Sequence, residues 1–416
     1  MKKMDAYRVY LSMEGGMSLF FSAIVTANMI YQVTTVGLNP LQLVLVGTVL
    51  EATAFLCEVP TGVIADVYSR RLSIIIGYIM IGLGFMLEGL VPRFEAILLA
   101  QVLWGMGYTF TSGATEAWIA DEIGERNSGA AFMRSAQVGQ LTAVAGAVLG
   151  ILLGSLQLNL PVVAGCIGTS MIGLCLILVM PETGFKPRPR GDRNTFQHML
   201  QTARDGAGMV RRRPALLTIL AIGAVYGVFS EGFDRLSTAH MLDNFTFPDF
   251  GGFQPIVWLG AIRILMMLLS AGVIEGLRKR IDTNNHHVVA RALFFFYAIL
   301  GSAVVAFGLA GSFWLAVVAS MVASLARRIS DPIYTAWVNQ RIDPQVRATV
   351  ISLSSQANAL GQIVGGPAVG EIGLAISIRA ALVTAGLLLS PVLGLIRYTA
   401  RSHEQVVEGA VVAPEA

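Results

Sequence analysis

Charge is what this sequence has least of. Asp, Glu, Lys and Arg make up 13% of its 416 residues, where a soluble domain carries about 25%. That scarcity excludes an ordinary soluble enzyme, and the 55% hydrophobic share excludes a disordered chain. Cysteine is nearly absent too: Cys57, Cys166 and Cys175 all sit in apolar runs and cannot build a disulfide framework. A formal net charge of +3 is too small for nucleic-acid binding. No phosphate-cradling glycine loop, zinc-ligand spacing or nucleophile constellation is present. Neither an enzyme nor a metal or other cofactor is therefore expected. His198, His240, His286, His287 and His403 are scattered over loops and helix ends.

What the chain has in abundance is apolar sequence, with a mean hydropathy of +0.67. A helix crossing a bilayer needs about 20 such residues. Stretches of that length fall at 9–36, 41–65, 72–92, 95–119, 129–155 and 160–180, and then at 214–238, 255–277, 288–308, 313–337, 348–372 and 377–398. The first contains Glu14 and lacks a small-residue cleavage site, so it is read as a retained helix and not a signal peptide. The expected fold is an all-α membrane protein of twelve transmembrane helices in two six-helix pseudo-repeats.

Basic residues set the expected orientation. With a cytoplasmic N-terminus, the inside segments hold 23 of the 29 Lys and Arg, including Arg70 and Arg71, the run from Arg278 to Arg280, and eight residues between Lys186 and Arg213. Outside loops hold Arg93 and Arg379 alone. That bias obeys the positive-inside rule and puts both termini in the cytoplasm. The expected organisation is a helical bundle over 1–180, a cytoplasmic connector over 181–213, a second bundle over 214–400 and a cytoplasmic tail over 401–416. The connector is read as a solvated linker whose piece at 196–210 lies on anionic lipid.

The halves resemble one another. An ungapped shift of 219 residues matches Ala117 and Trp118 to Ala336 and Trp337, Ser135 to Ser354, Gln137 to Gln356, Leu141 to Leu360 and Gly146 to Gly365. Two parallel repeats suit a transporter whose halves rock about a midplane site.

The second stretch ends in Glu58-Val-Pro-Thr-Gly62-Val-Ile-Ala-Asp66-Val-Tyr-Ser69-Arg70-Arg71. This resembles the signature of the major facilitator superfamily between its second and third helices. The resemblance implies that Gly62, Asp66, Arg70 and Arg71, with Asp121 and Glu116 from the fourth helix, form a cytoplasmic latch. Gly62 is expected to admit a close helix approach, and Glu58 to join the cluster. The family's glycine before the basic pair is here Ser69.

The run from Trp104 to Asp121, with Asp331-Pro-Ile-Tyr-Thr-Ala-Trp337-Val-Asn339 and Arg347-Ala-Thr-Val-Ile-Ser352, is similar to the drug:proton antiporter branch, which includes macrolide and tetracycline exporters. That branch often carries a fourth-helix arginine four residues before a glycine, where this chain has Gln101 before Gly105. The glycines at 139, 146, 150 and 154, and Gly361, Gly365 and Pro367 in the eleventh stretch, are read as packing and hinge surfaces.

An ionised side chain at bilayer depth costs at least about 2.5–3.5 kcal/mol, so intramembrane charges need a role. Glu14 and Glu51 are the candidate proton carriers of the first half. In the second half Glu231 and Asp234 stand one helix away from Arg263 and form a candidate coupling pair. Glu88 is read as solvated near the outer interface, and Arg327, Arg328 and Asp331 as a cytoplasmic-side cluster. Met17, Phe21, Phe110, Tyr226, Phe229 and Met266 are the candidates for lining an adaptable, methionine-rich apolar cavity. The tryptophans, among them Trp118 and Trp337, are expected to anchor span ends at the interface. Together these features, with the resemblance, imply proton-driven export of a lipophilic drug-like compound from a bacterial cytoplasmic membrane. The alternative is a symporter or facilitator for a nutrient or lipid. The expected partners are that substrate, protons and the bilayer, with no nucleic acid, and the chain is read as a monomer.

Overall fold

The computed structural model describes residues 5–186, 214–278, 285–341 and 347–398. The amphipathic piece at 196–210 and the tail at 401–416 lie outside the described residues, as does most of the connector. Among the described residues there are thirteen α-helices and no strand. They are α1 (Ala6–Thr34), α2 (Pro40–Val67), α3 (Arg70–Leu90), α4 (Phe94–Thr111), α5 (Ala114–Ile123), α6 (Glu125–Leu156) and α7 (Leu160–Val179). After the connector come α8 (Pro214–Asn244), α9 (Pro255–Arg278), α10 (His286–Gly308), α11 (Phe313–Arg341), α12 (Arg347–Ala375) and α13 (Ile378–Leu387). Among the described residues, ten helical spans are long and apolar enough to cross a membrane, the last running from Ile378 to Tyr398. The other two expected crossings are α4 with α5, and α12, whose first half carries Ser352, Ser354, Ser355, Gln356 and Asn358.

Local chemistry sets the boundaries. Asn39 opens α2 with a capping box: its side chain accepts from the Gln42 amide at 2.9 Å, and the Gln42 side chain accepts from the Asn39 amide at 3.1 Å. Pro40 follows at the first helical position, where its missing N–H costs nothing. The fourth stretch, expected as one helix, is broken: Gly113 has φ of 71°, a left-handed conformation that only glycine adopts freely. Gly124, with φ of 82°, separates α5 from α6 in the same way.

The described residues form two compact units. One holds residues up to 186 together with Phe247–Ile264, and the other holds Pro214–Thr246 and the residues from Leu265 onward. In the first, α1 packs on α6 and α7, α3 on α4 and α7, and α2 on α4. In the second, α8 packs on α12 and α13, and α10 on α11 and α13. The neighbour pattern is thus repeated, with α8, α10, α11, α12 and α13 in the places of α1, α3, α4, α6 and α7.

Glycine sets the register of these crossings. A Cβ at Gly146 would stand 2.9 Å from the Leu19 carbonyl carbon and 3.1 Å from its Cα, so α6 lies with its backbone directly on α1. Gly361 meets Ala224 at the same two distances, which puts α12 on α8 in the same way. The structural partner of Gly146 is therefore Gly361, one helical turn before the Gly365 that the ungapped shift selected. The shift holds at Trp118 and Trp337, both about 1% exposed, and slips by four residues in the connection that follows. Those two tryptophans also correct the interfacial reading. Trp118 donates its indole N–H to the Pro181 carbonyl at 2.8 Å, and Trp337 stacks on Tyr334 at 6.0 Å. Both fill cores, where their size contributes most.

Candidate functional site

Three groups of polar side chains stand out. The first surrounds Arg70 at the start of α3. Its guanidinium pairs with Asp66 at 3.4 Å and with Asp121, and donates to the Ala117 carbonyl at 2.9 Å. Ser69, the residue in place of the family's glycine, caps α3 by accepting from the Leu72 amide at 2.9 Å. Its hydroxyl also donates to Glu182 at 2.8 Å. Its φ of −173° is extended backbone, so no glycine is required there. The Arg71 amide donates to the same carboxylate at 2.9 Å. The Glu122 carboxylate accepts from Thr183 Oγ1 at 2.8 Å and from the Gly184 amide at 2.7 Å. Residues 181–185 are therefore docked on α5 and α3, and the connector begins as packed chain where a solvated linker was expected. Glu122 and Glu182 were missed by sequence reasoning; an acid beside basic residues at a helix end carries no sign of its partner.

Two expectations about this cluster are corrected. Nothing among the described residues lies within 4 Å of the place a Cβ of Gly62 would take, so Gly62 admits no close helix approach here. The close approaches are made elsewhere, at Gly77 and Gly107 between α3 and α4, and at Gly105 on α2. Glu58 is exposed on α2, and among the described bonds its carboxylate takes no part in the Arg70 cluster. Glu116 is exposed on α5, within electrostatic reach of Glu14 and Tyr10.

The second group lies deeper in the same unit. The Tyr10 hydroxyl hydrogen-bonds with Ser135; Glu14 is in electrostatic reach of Tyr10, Glu116 and the buried Tyr78, and Tyr10 of Glu116 and Tyr78. Met13, Tyr10, Tyr78 and Trp118 belong to one apolar core around them, against which Met17 packs. Glu51 is half-buried on α2. Toward the other end of α3, Glu88 has no exposed surface. It accepts from Gln32 at 2.6 Å and from Gln101 at 3.2 Å, and Tyr31 donates to its carbonyl at 3.0 Å. The solvated reading of Glu88 is thus wrong, because its side chain points into the seam between α1, α3 and α4. Gln101 is half of the reason. Phe21 packs edge-on against Phe85 and tilted on Trp104, at 6.3 and 5.7 Å. Phe110 is buried where Ser73 bonds its carbonyl at 2.7 Å.

The third group is in the second unit. Glu231, 2% exposed, pairs with Arg235 at 3.2 Å. Asp234 pairs with Arg327 at 2.5 Å, whose guanidinium also donates to the Tyr226 hydroxyl at 3.0 Å. Arg263, half-buried on α9, lies in the stretch Phe247–Ile264 that belongs to the first unit. Arg327 and Asp331 were expected as a cluster at the cytoplasmic end of their span. Arg327 instead stands about 21 Å into α11 at 1.5 Å per residue, near the middle of the helix. Asp331 borders a cavity of about 340 Å³ whose lining includes Tyr226, Tyr297, Tyr334, Ser354, Ser355 and Asn358. Whereas an apolar cavity of about 320 Å³ in the first unit is lined by Met13, Met171, Phe20 and Cys175 among others, the lining of this one carries no methionine. Phe229 is fully buried behind it, 5.6 Å from Tyr226 and stacked on Phe233 at 5.9 Å. Met266 is buried on α9, where its carbonyl accepts from Ser270 at 2.6 Å. His240, expected at a span end, is buried against Phe307, with 3.0 Å from its Nε2 to the Phe307 carbonyl.

A sequence profile described as Major Facilitator Superfamily matches residues 12–366. The uncharacterized MFS-type transporter YxaM of Bacillus subtilis (strain 168) is 24% identical over 357 residues, which cover 85% of this chain and 86% of that one. Among solved structures, a POT family transporter in complex with a thioalcohol-conjugated peptide superposes with a TM-score of 0.75 at 13% identity, covering 95% of this chain and 96% of its own. The nucleoside transporter NupG gives 0.73 at 12% identity, over 95% and 98% of the two chains. The human organic anion transporter MFSD10 (TETRAN) gives 0.61 at 16% identity, over 94% and 99%. At these identities the structures establish the fold alone.

Proposed function

The chain belongs to the major facilitator superfamily and is a membrane transporter of that type, and from this premise we propose that it exports a lipophilic drug-like compound in exchange for protons. The membrane is a bacterial cytoplasmic membrane with both termini inside, as the distribution of Lys and Arg supports. Tetracycline-like and macrolide compounds are the first substrates to try, and alternating access of the two halves is the mode of transport.

One observation carries the proton-coupled part of this reading. Glu14 and Glu116 act on one another electrostatically beside Tyr10 and Tyr78. Glu14 is half-buried on α1, next in sequence to the core residue Met13. A proton arriving or leaving there changes the charge of the α1–α5 contact, which is a means of linking proton binding to helix movement. In this reading Glu14 and Glu51 carry protons, Glu231, Asp234 and Arg263 couple the second half, and the Arg70–Asp66–Asp121 group latches one state.

Reconstituted exchange tests it. Glu14→Gln and Glu51→Gln should each abolish proton-coupled export while leaving the purified protein monodisperse. Unchanged drug/proton exchange in both would refute the assignment. The polar part of the second-unit cavity also suits the rival reading, a nutrient symporter. Proton uptake together with solute, in place of counterflow, would select that rival.

A further inference from the structure

We infer that the cavity of the second unit is a binding site for the cationic head of an organic ammonium compound. This rests on the export reading and names the substrate class it would take: a lipophilic amine or quaternary ammonium ion.

The charge of the cluster points to that class. Asp234 and Arg327 neutralise one another at 2.5 Å, and Tyr226 takes a further donor of the guanidinium at 3.0 Å. That leaves the Asp331 carboxylate as the charged group among the cavity's lining residues. Its described side-chain hydrogen bond, from the Tyr226 hydroxyl, is long at 3.5 Å. Asp331 is also within electrostatic reach of Arg328, so the local charges balance, and Asp331 is singled out by being the one that borders the cavity. Arg328, the next residue along α11, is exposed and is not among the lining residues.

The walls suit the same occupant. Three phenol rings, Tyr226, Tyr297 and Tyr334, border the cavity, and aromatic rings gathered around a cation attract it through their quadrupoles. Tyr226 and Tyr297 meet edge to face at 5.8 Å. Tyr334 is held by Ser354 at 3.1 Å and by the Ile219 carbonyl at 3.3 Å, so its ring is fixed before a ligand arrives. The Asn358 main chain packs against Gly227 and brings α12 close enough to α8 to close one side. A volume of about 340 Å³ is at the lower end of ligand pockets, about 300–1,000 Å³. It accommodates a head group with a small aromatic body.

The test uses the full chain in lipid nanodiscs and radiolabelled phenyltrimethylammonium. The wild-type protein should bind it saturably, with displacement by unlabelled cation and none by benzenesulfonate, an anion of similar size. Asp331→Asn should weaken binding at least tenfold, and Asp331→Glu should stay within about threefold of wild type. Arg327→Gln removes a competing cation and should bind more tightly. No saturable binding, displacement by benzenesulfonate as good as by the cation, or unchanged affinity in Asp331→Asn would each overturn the site. The displacement comparison is made on the wild-type chain, so it stands even if a variant fails to fold. Proton release driven by tetracycline in vesicles, with no phenyltrimethylammonium binding, would refute the site and leave the export reading standing. Binding without any compound-driven proton release would do the reverse.

Discussion

Replacing Gly146 with alanine should loosen the first unit, while the same change at Gly62 should not. At Gly146 the new Cβ would meet the Leu19 carbonyl carbon at 2.9 Å and its Cα at 3.1 Å. Those atoms are backbone and cannot rotate away, so α1 and α6 must separate by several tenths of an ångström or more. Overpacking of this kind costs about 1–3 kcal/mol, offset in part by the gain of about 1 kcal/mol for alanine over glycine in a helix. The net loss is about 0–2 kcal/mol. For a unit of this size, 1 kcal/mol moves the melting temperature by about 2–4 °C, which gives a fall of up to about 8 °C. At Gly62 no described atom lies within 4 Å, so only the helix gain remains and the melting temperature should hold or rise. Gly361→Ala should behave like Gly146→Ala, because Ala224 presents the same backbone atoms at the same distances. Thermal unfolding of each purified variant, followed by size-exclusion chromatography after heating, reads all three. A Gly146→Ala protein melting at or above Gly62→Ala would refute the packing argument, and a Gly361→Ala protein as stable as wild type would refute the repeat register.

Two further outcomes test the first unit. Glu88→Leu leaves the buried amides of Gln32 and Gln101 without their acceptor, at about 1–3 kcal/mol for each unsatisfied group. It should melt well below wild type, with Glu88→Gln in between; equal melting of all three would remove Glu88 from the core. Ser69→Ala deletes the cap of α3, worth about 1 kcal/mol, together with the bond to Glu182. Its melting point should fall by about 2–4 °C; a wild-type value would show that the cap and the docked residues 181–185 contribute nothing.

The sequence was most informative where local spacing decides the structure. Runs of about 20 apolar residues became helices, and Asp66 and Arg70, four apart, stand beside one another although α2 ends between them. It was uninformative wherever facing direction decides. Glu88 lies near the end of a span, and nothing in its neighbourhood says that Gln32 and Gln101, on other helices, point at it. The cavity shows the same limit, since Tyr226, Tyr297, Tyr334 and Asn358 come from four helices, and tyrosine is ordinary in membrane spans. The repeat was visible through Trp118 and Trp337, but the four-residue slip before Gly361 was not. A glycine four residues away on the same face offers the same side chain to an ungapped comparison, and only the atoms it touches tell the two apart. Gly113 marked a break that hydrophobicity alone read as continuous helix, because its positive φ is a property of the backbone.

Proton flux in inverted membrane vesicles, followed with a quenched pH-sensitive dye, tests the central claim most directly. Proton release on adding tetracycline, a macrolide or a lipophilic cation, lost in Glu14→Gln, is the result predicted for drug/proton exchange. No dye response to any of the three, with the protein inserted at wild-type level, would contradict it.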